Sequence, residues 1–250
     1  MANLRTLTGS ISASAATNYP TEVLIYNLNI ETPNNGGICC LYTVPVGTKY
    51  IKFEMWGGGG GGGGGCCCQQ GAPGGSGAYA VKTVCSANLG GCQYTICAGG
   101  TTSTAPTCLG CPGCDSYVNG FGLSNFCARG GAFGDTHCFH AFCFSCCIPY
   151  TLCCCAYGGD ICVPGNQSTY QVYSWCQAAF QQHAMLAAST ASGPMFGPGG
   201  CINGSPNGSC TNWFTKAYFP GGGGMSANTI GGNCWCGGQG ASGLVSVTYG

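Results

Sequence analysis

Cys108, Cys111 and Cys114 stand three residues apart in the run Cys108-Leu109-Gly110-Cys111-Pro112-Gly113-Cys114, and they are the side chains of this sequence best suited to chemistry. Two overlapping C-x-x-C pairs are followed by His137-Cys138-Phe139-His140, Cys143 and Cys146-Cys147. Zinc accepts cysteine and histidine at such spacings. Cys108, Cys111, Cys114, His140, Cys143 and Cys146 are therefore the candidate metal ligands. A ferredoxin-type run would need a fourth cysteine followed by proline, and Asp115 stands after Cys114 instead. The total weighs against metal: with 25 cysteines in 250 residues, C-x-x-C pairs arise by chance. Disulfides are the favoured reading, with bound metal and buried free thiols as the alternatives. No cofactor is expected. Because 25 is odd, at least one thiol stays unpaired or pairs between chains.

Acid–base chemistry has little to work with. Asp135 with His137, and Asp160 alone, are the candidates in the middle of the chain, and they read as solvated loop residues. No G-x-S-x-G, Walker or dinucleotide pattern occurs in a strand–turn–helix context. The glycine-rich runs contain G-x-G-x-x-G trivially, so that pattern carries no information. No catalytic residue is assigned, and the chain is not expected to be an enzyme. Aromatic side chains are abundant: 13 Tyr, 11 Phe and 4 Trp. Set on loops, Phe139, Phe142, Phe144, Tyr150 and Tyr157 could meet a sugar or another protein, with core burial as the alternative.

The elements that would position these groups are strands and glycine runs. Strands are expected at Thr21 to Glu31, Ile38 to Val44, Lys49 to Trp56, Ala78 to Val84, Cys92 to Cys97 and Leu244 to Tyr249. In the third of these, Tyr50, Lys52, Glu54 and Trp56 share one face, and Ile51, Phe53 and Met55 the other. Between 101 and 240 the strand signal fades. One helix is expected near Tyr170 to Ala188, where Val172, Trp175, Ala179 and Met185 share a face.

Nine glycines, Gly57 to Gly65, run from that third strand into Cys66-Cys67-Cys68. Fixing nine glycines costs roughly 5–9 kcal/mol more than fixing nine alanines. A floppy linker avoids that cost. The alternative is a bare backbone in extended polyproline-II-like geometry, packed where any Cβ would clash. Low charge and the recurrence of such runs, at 71–77, 130–131, 158–159, 197–204, 221–224 and 231–243, favour the packed bundle.

Six basic and six acidic residues make up 5% of the chain, against 45% hydrophobic residues. That balance predicts a folded chain that works inside an assembly rather than a disordered one. It also argues against nucleic acid, which needs a basic patch. No 18-residue apolar run occurs, so no membrane insertion is expected. The N-terminus lacks the apolar core of a secretory signal, whereas the cysteines suit an oxidising milieu. Synthesis in a host cytoplasm followed by release on lysis reconciles the two.

The segment from Tyr42 to Trp56 (YTVPVGTKYIKFEMW) leading into polyglycine resembles the opening of the glycine-rich domain of bacteriophage tail-fibre, adhesin and other virion proteins. Gly74 to Ala80 (GGSGAYA) and Gly237 to Tyr249 (GGQGASGLVSVTY) are similar to two further pieces of that domain. The resemblance brackets 42–250, with the cysteine-rich core from Cys108 to Cys176 as a departure that resembles cyanophage virion proteins. It implies a structural or receptor-contacting role in the virion, tail or tail fibre, with a capsid cement role as the alternative. A metal-binding or redox module is the second alternative. The implied partners are other virion proteins, further copies of the chain (a trimer by analogy with fibres) and a host receptor or glycan. The five aromatics named above then become host-contact candidates.

The expected fold is mostly β: a small antiparallel β-sandwich with a polyglycine-II-like, cysteine-rich insertion and few helices. Residues 1–36 would form an N-terminal attachment arm and strand. Residues 37–100 with 241–250 would form the sandwich, and 101–240 the insertion.

Overall fold

The computed structural model describes residues 21–26, 37–63, 70–71, 74–100, 110–134, 136–137, 154–165, 217, 219–224 and 237–250. These form twelve strands and no helix: β1 (Thr21–Tyr26), β2 (Ile38–Thr43), β3 (Tyr50–Trp56), β4 (Gln70–Gly71), β5 (Tyr79–Cys85), β6 (Gln93–Ala98), β7 (Ser116–Gly120), β8 (Phe126–Ala128), β9 (Thr136–His137), β10 (Ala156–Tyr157), β11 (Ile161–Val163) and β12 (Leu244–Tyr249). The helix expected over 170–188 lies outside the described residues.

Two antiparallel five-stranded sheets make the sandwich, in the orders β1-β12-β3-β5-β11 and β10-β8-β7-β6-β2. Alternation along β3 sets the packing: Ile51, Phe53 and Met55 are fully buried, while Tyr50, Lys52 and Glu54 are half-buried on the other face. The inner row meets Val245 and Val247 of β12 on its own sheet, and Tyr94, Ile96, Val118 and Phe126 of the opposite one. Phe53 lies at the centre, its ring 5.0 Å from Tyr94 and 6.4 Å from Phe126. The Tyr94 hydroxyl reaches out of the core and donates to the Phe121 carbonyl at 2.9 Å.

Strands β7, β8, β10 and β11 fall where the sequence shows a fading strand signal. Each has two to five residues, too few to display an alternation, and each is held by the ladder of a longer neighbour.

Beyond β3 the chain enters a bundle of extended, side-chain-poor segments. Residues 57–63 form its axis and are buried along their whole length. Their N–H groups point three ways in turn. Gly57 donates to Ala78, Gly58 to Cys114 and Gly59 to Ala241. The cycle then repeats three residues back on each partner, with Gly60 to Gly75, Gly61 to Cys111 and Gly62 to Gly238. Their carbonyls accept from two further segments, Gly58 from Gly131, Gly61 from Gly134 and Gly60 from Gly224. A three-residue repeat is the helical period of polyproline-II geometry. Unlike an isolated helix of that kind, this one exchanges all its hydrogen bonds with neighbours, which satisfies a buried backbone. The glycine run is therefore the packed strut rather than the linker, over 57–63.

Candidate functional site

The bundle has a near end at the sandwich and a far end. Trp56, Ala78, Arg129 and Gly243 lie at the near end, each adjoining β3, β5, β8 or β12. At the far end of the described bundle Gly74, Gly110, Gly134, Gly224 and Gly237 pack about the level of Gly60 to Gly62. Among the described residues β4 also pairs with β9 through Gln70↔His137 and Gly71↔Thr136.

The strut is rigid because its segments touch main chain to main chain. A Cβ on Gly59 would overlap the Gly222 carbonyl oxygen, and one on Gly60 that of Ala132, far inside the 3.0 Å that real Cβ atoms keep. At the junction with the sandwich, fully buried Ser116 donates its hydroxyl to the Trp56 carbonyl at 2.6 Å and accepts from the Gly99 N–H at 2.8 Å. Next to it the Asp115 carboxylate accepts from the Gly130 N–H at 2.8 Å.

Of the candidate residues singled out in the sequence, Cys111, Cys114, His137, Tyr157 and Asp160 are described. Cys108, His140, Cys143 and Cys146, and likewise Phe139, Phe142, Phe144 and Tyr150, lie outside the described residues, as does Asp135. In the sequence Phe139, Phe142, Phe144 and Tyr150 follow Gly134. Tyr157 stands elsewhere, exposed on β10 at the rim of the sandwich, with the Arg129 guanidinium 5.8 Å from its ring. Cys111 and Cys114 share one face of a three-residue-per-turn segment, so their Cα atoms are separated by roughly 9 Å along its axis. Among the described residues no group of three or more His, Cys, Asp or Glu could hold a metal.

Sequence reasoning missed a row across the outer face of the second sheet. Register places Cys39, Cys97, Tyr117, Cys127 and Tyr157 side by side, one from each strand. Cys39 and Cys97 are joined in a disulfide, and the Tyr117 hydroxyl lies 3.9 Å from the Cys39 sulfur. Cysteines facing each other across paired strands were the available signal, but the pairing register was not in the sequence. Burial, with the nearby Asp115 carboxylate, pushes the Cys127 thiol up to about 11, against the opposing pull of Arg129. Such a thiol is protonated at neutral pH and a poor nucleophile. Asp160 is held below the usual carboxylate range by its hydrogen bond from Lys82 at 2.6 Å and by the Thr83 N–H at 2.8 Å. It serves there as a staple between β5 and the turn before β11.

No protein-family model matches this chain, and no curated protein matches it.

Proposed function

We propose that this chain is a structural protein of a phage particle, mounted on the tail or a tail fibre, where it presents the far end of its bundle to a host surface. The observation that carries the reading is the buried glycine axis, 57–63, hydrogen-bonded to five surrounding segments. A bundle of this kind would hold the segments that follow it away from a folded base. Those segments could then differ in sequence without disturbing the support, as suits a surface that meets a receptor or glycan. The aromatics after Gly134 supply contact groups of the right chemistry. Low charge and exposed apolar side chains such as Leu41 and Ile161 favour a chain that functions among other virion proteins.

Gold-labelled antibody against the chain, imaged on purified particles with copies counted per particle, tests the reading. Label on the tail at small multiples of three or six copies is the expected result. Hundreds of copies over the head would move the protein to a cement role, and particles without label would overturn the proposal.

A further inference from the structure

We infer that the edge of β2, unpaired among the described residues, receives the N-terminal arm of a second copy of this chain as an added antiparallel strand. The inference goes beyond the reading above, since it uses only the edge and the arm, whatever particle they belong to.

The sandwich is closed on one side and open on the other. On the open side stand the edge strands β1 and β2, each with a single neighbour among the described residues. Val23, Ile38, Cys40, Tyr42 and Tyr249 point into the core there yet stay only partly buried, because nothing described lies beyond them. The four edges of the two sheets are not alike. β10 and β11 have two and three residues, and β1 carries Glu22. β2 is six residues long (ICCLYT) and has no charge, proline or glycine, the devices that usually blunt an exposed edge.

Its free hydrogen-bonding groups can be assigned. Cys39 and Cys97 face each other at a Cα–Cα distance of 4.1 Å, the close spacing of a non-hydrogen-bonded pair. Val44, in the other phase, is bonded to its partner strand through the Cys92 carbonyl. Cys39, Leu41 and Thr43 therefore turn their N–H and C=O groups outward. The disulfide holds this edge in register against β6.

The occupant is argued from the chain outside the described residues. Twenty residues precede Thr21, and 7–15 read Leu7-Thr8-Gly9-Ser10-Ile11-Ser12-Ala13-Ser14-Ala15. Leu7, Gly9, Ile11, Ala13 and Ala15 alternate with hydroxyl residues, without charge or proline, which is the pattern of a strand with one small apolar face. Nine residues extend to about 30 Å, enough to cover β2. Direction selects the source. β1 begins at Thr21 beside Tyr249, at the outer end of the sandwich, and β2 runs toward that same end. The chain's own arm would have to lie parallel to β2. A neighbour's arm can lie antiparallel, the more stable pairing. Residues 16–20, spanning up to about 16 Å, remain to cross between copies.

The test compares three proteins by light scattering after alkylation of free thiols: the full chain, a chain lacking residues 1–18, and the full chain with Leu41→Pro. Proline at 41 removes an outward N–H and leaves the bonds to β6 in place. Association is expected for the full chain alone, with both variants reduced to the monomer (the full chain is 25.2 kDa). A fluorescent peptide of residues 5–17 should bind the truncated chain, and binding should fall at least tenfold with Leu41→Pro added. Circular dichroism of each variant establishes that it is folded before its mass is read. A monomeric full chain, association that survives truncation or Leu41→Pro, or a peptide that does not bind would each overturn the inference.

Discussion

Cys127 is a thiol held back from reaction by its surroundings. It lies half-buried on β8, with a pKa near 11 set chiefly by desolvation. The thiolate attacks and the thiol does not, so a raised pKa means slower alkylation at neutral pH. Cys85 and Cys162 are exposed on β5 and β11. Timed alkylation with iodoacetamide, read by peptide mass spectrometry, should label Cys85 and Cys162 first and Cys127 late. The Cys127 rate should keep rising about tenfold per pH unit until near pH 11. Early labelling of Cys127 at pH 7 would contradict the burial argument. At this scale spacing alone was a poor guide, although the disulfide reading holds at Cys39 and Cys97. The C-x-x-C spacing of Cys111 and Cys114 suggests a shared ligand only if the chain turns back on itself. On a three-residue-per-turn strand the same spacing stacks the two residues along one face, their Cα atoms roughly 9 Å apart. Spacing carries chemical meaning only once the local conformation is known.

Among the elements, the glycine content of each extended segment records how many of its sides are enclosed. Residues 57–63 are enclosed all round and are glycine at every position. In 74–78 the non-glycine positions are Ser76 and Ala78, both small and fully buried. In 110–115 only Gly110 and Gly113, one per turn, face the axis and meet the carbonyls of Gly61 and Gly58. Cysteine, proline and aspartate fill the other positions. That the glycine run packs rather than links was legible in the sequence, as were β2, β3, β5, β6 and β12 to within a residue or two, because alternation and turn residues mark them. It was not legible which glycine run supplies which neighbour, since a bare backbone leaves no side-chain pattern to match. Two substitutions separate close packing from glycine's conformational freedom. Gly59→Ala places a methyl inside the Gly222 carbonyl and should destabilise the fold by about 3 kcal/mol or more. Gly47 has φ +91°, and a methyl there would find no atom within 4 Å, so Gly47→Ala should cost only the left-handed strain, about 1–2 kcal/mol. Urea midpoints of the two variants would decide. Equal shifts would mean that the axis is looser than its contacts imply.

The described residues form one body, because every segment of the bundle described at its near end continues a sandwich strand or bonds to one that does. Trp56 passes from β3 into Gly57, Ala78 into β5, and Gly243 into β12. Ser116 sits where these meet, bonded at once to the carbonyl that ends β3 and the N–H that follows β6. Replacing it with alanine removes the hydroxyl that accepts from the buried Gly99 N–H and one of the bonds to the Trp56 carbonyl, at a cost of about 1–3 kcal/mol. If the bundle were a tethered appendage, that loss would free the bundle and leave the sandwich intact. If the two share a core and a backbone ladder, both should weaken together, since cooperative units follow shared burial rather than chain order. Native-state hydrogen exchange distinguishes these outcomes. In the unaltered chain the amides of Gly58 to Gly62 should exchange with the slowest class, alongside Phe53 and Val247. In Ser116→Ala both groups should speed up by the same factor. Glycine amides that exchange early in the unaltered chain, or that alone accelerate in the variant, would divide the protein into two independently stable parts. A strut held by main-chain bonds alone is only as firm as the base it grows from, so its capacity to carry a contact surface depends on this coupling.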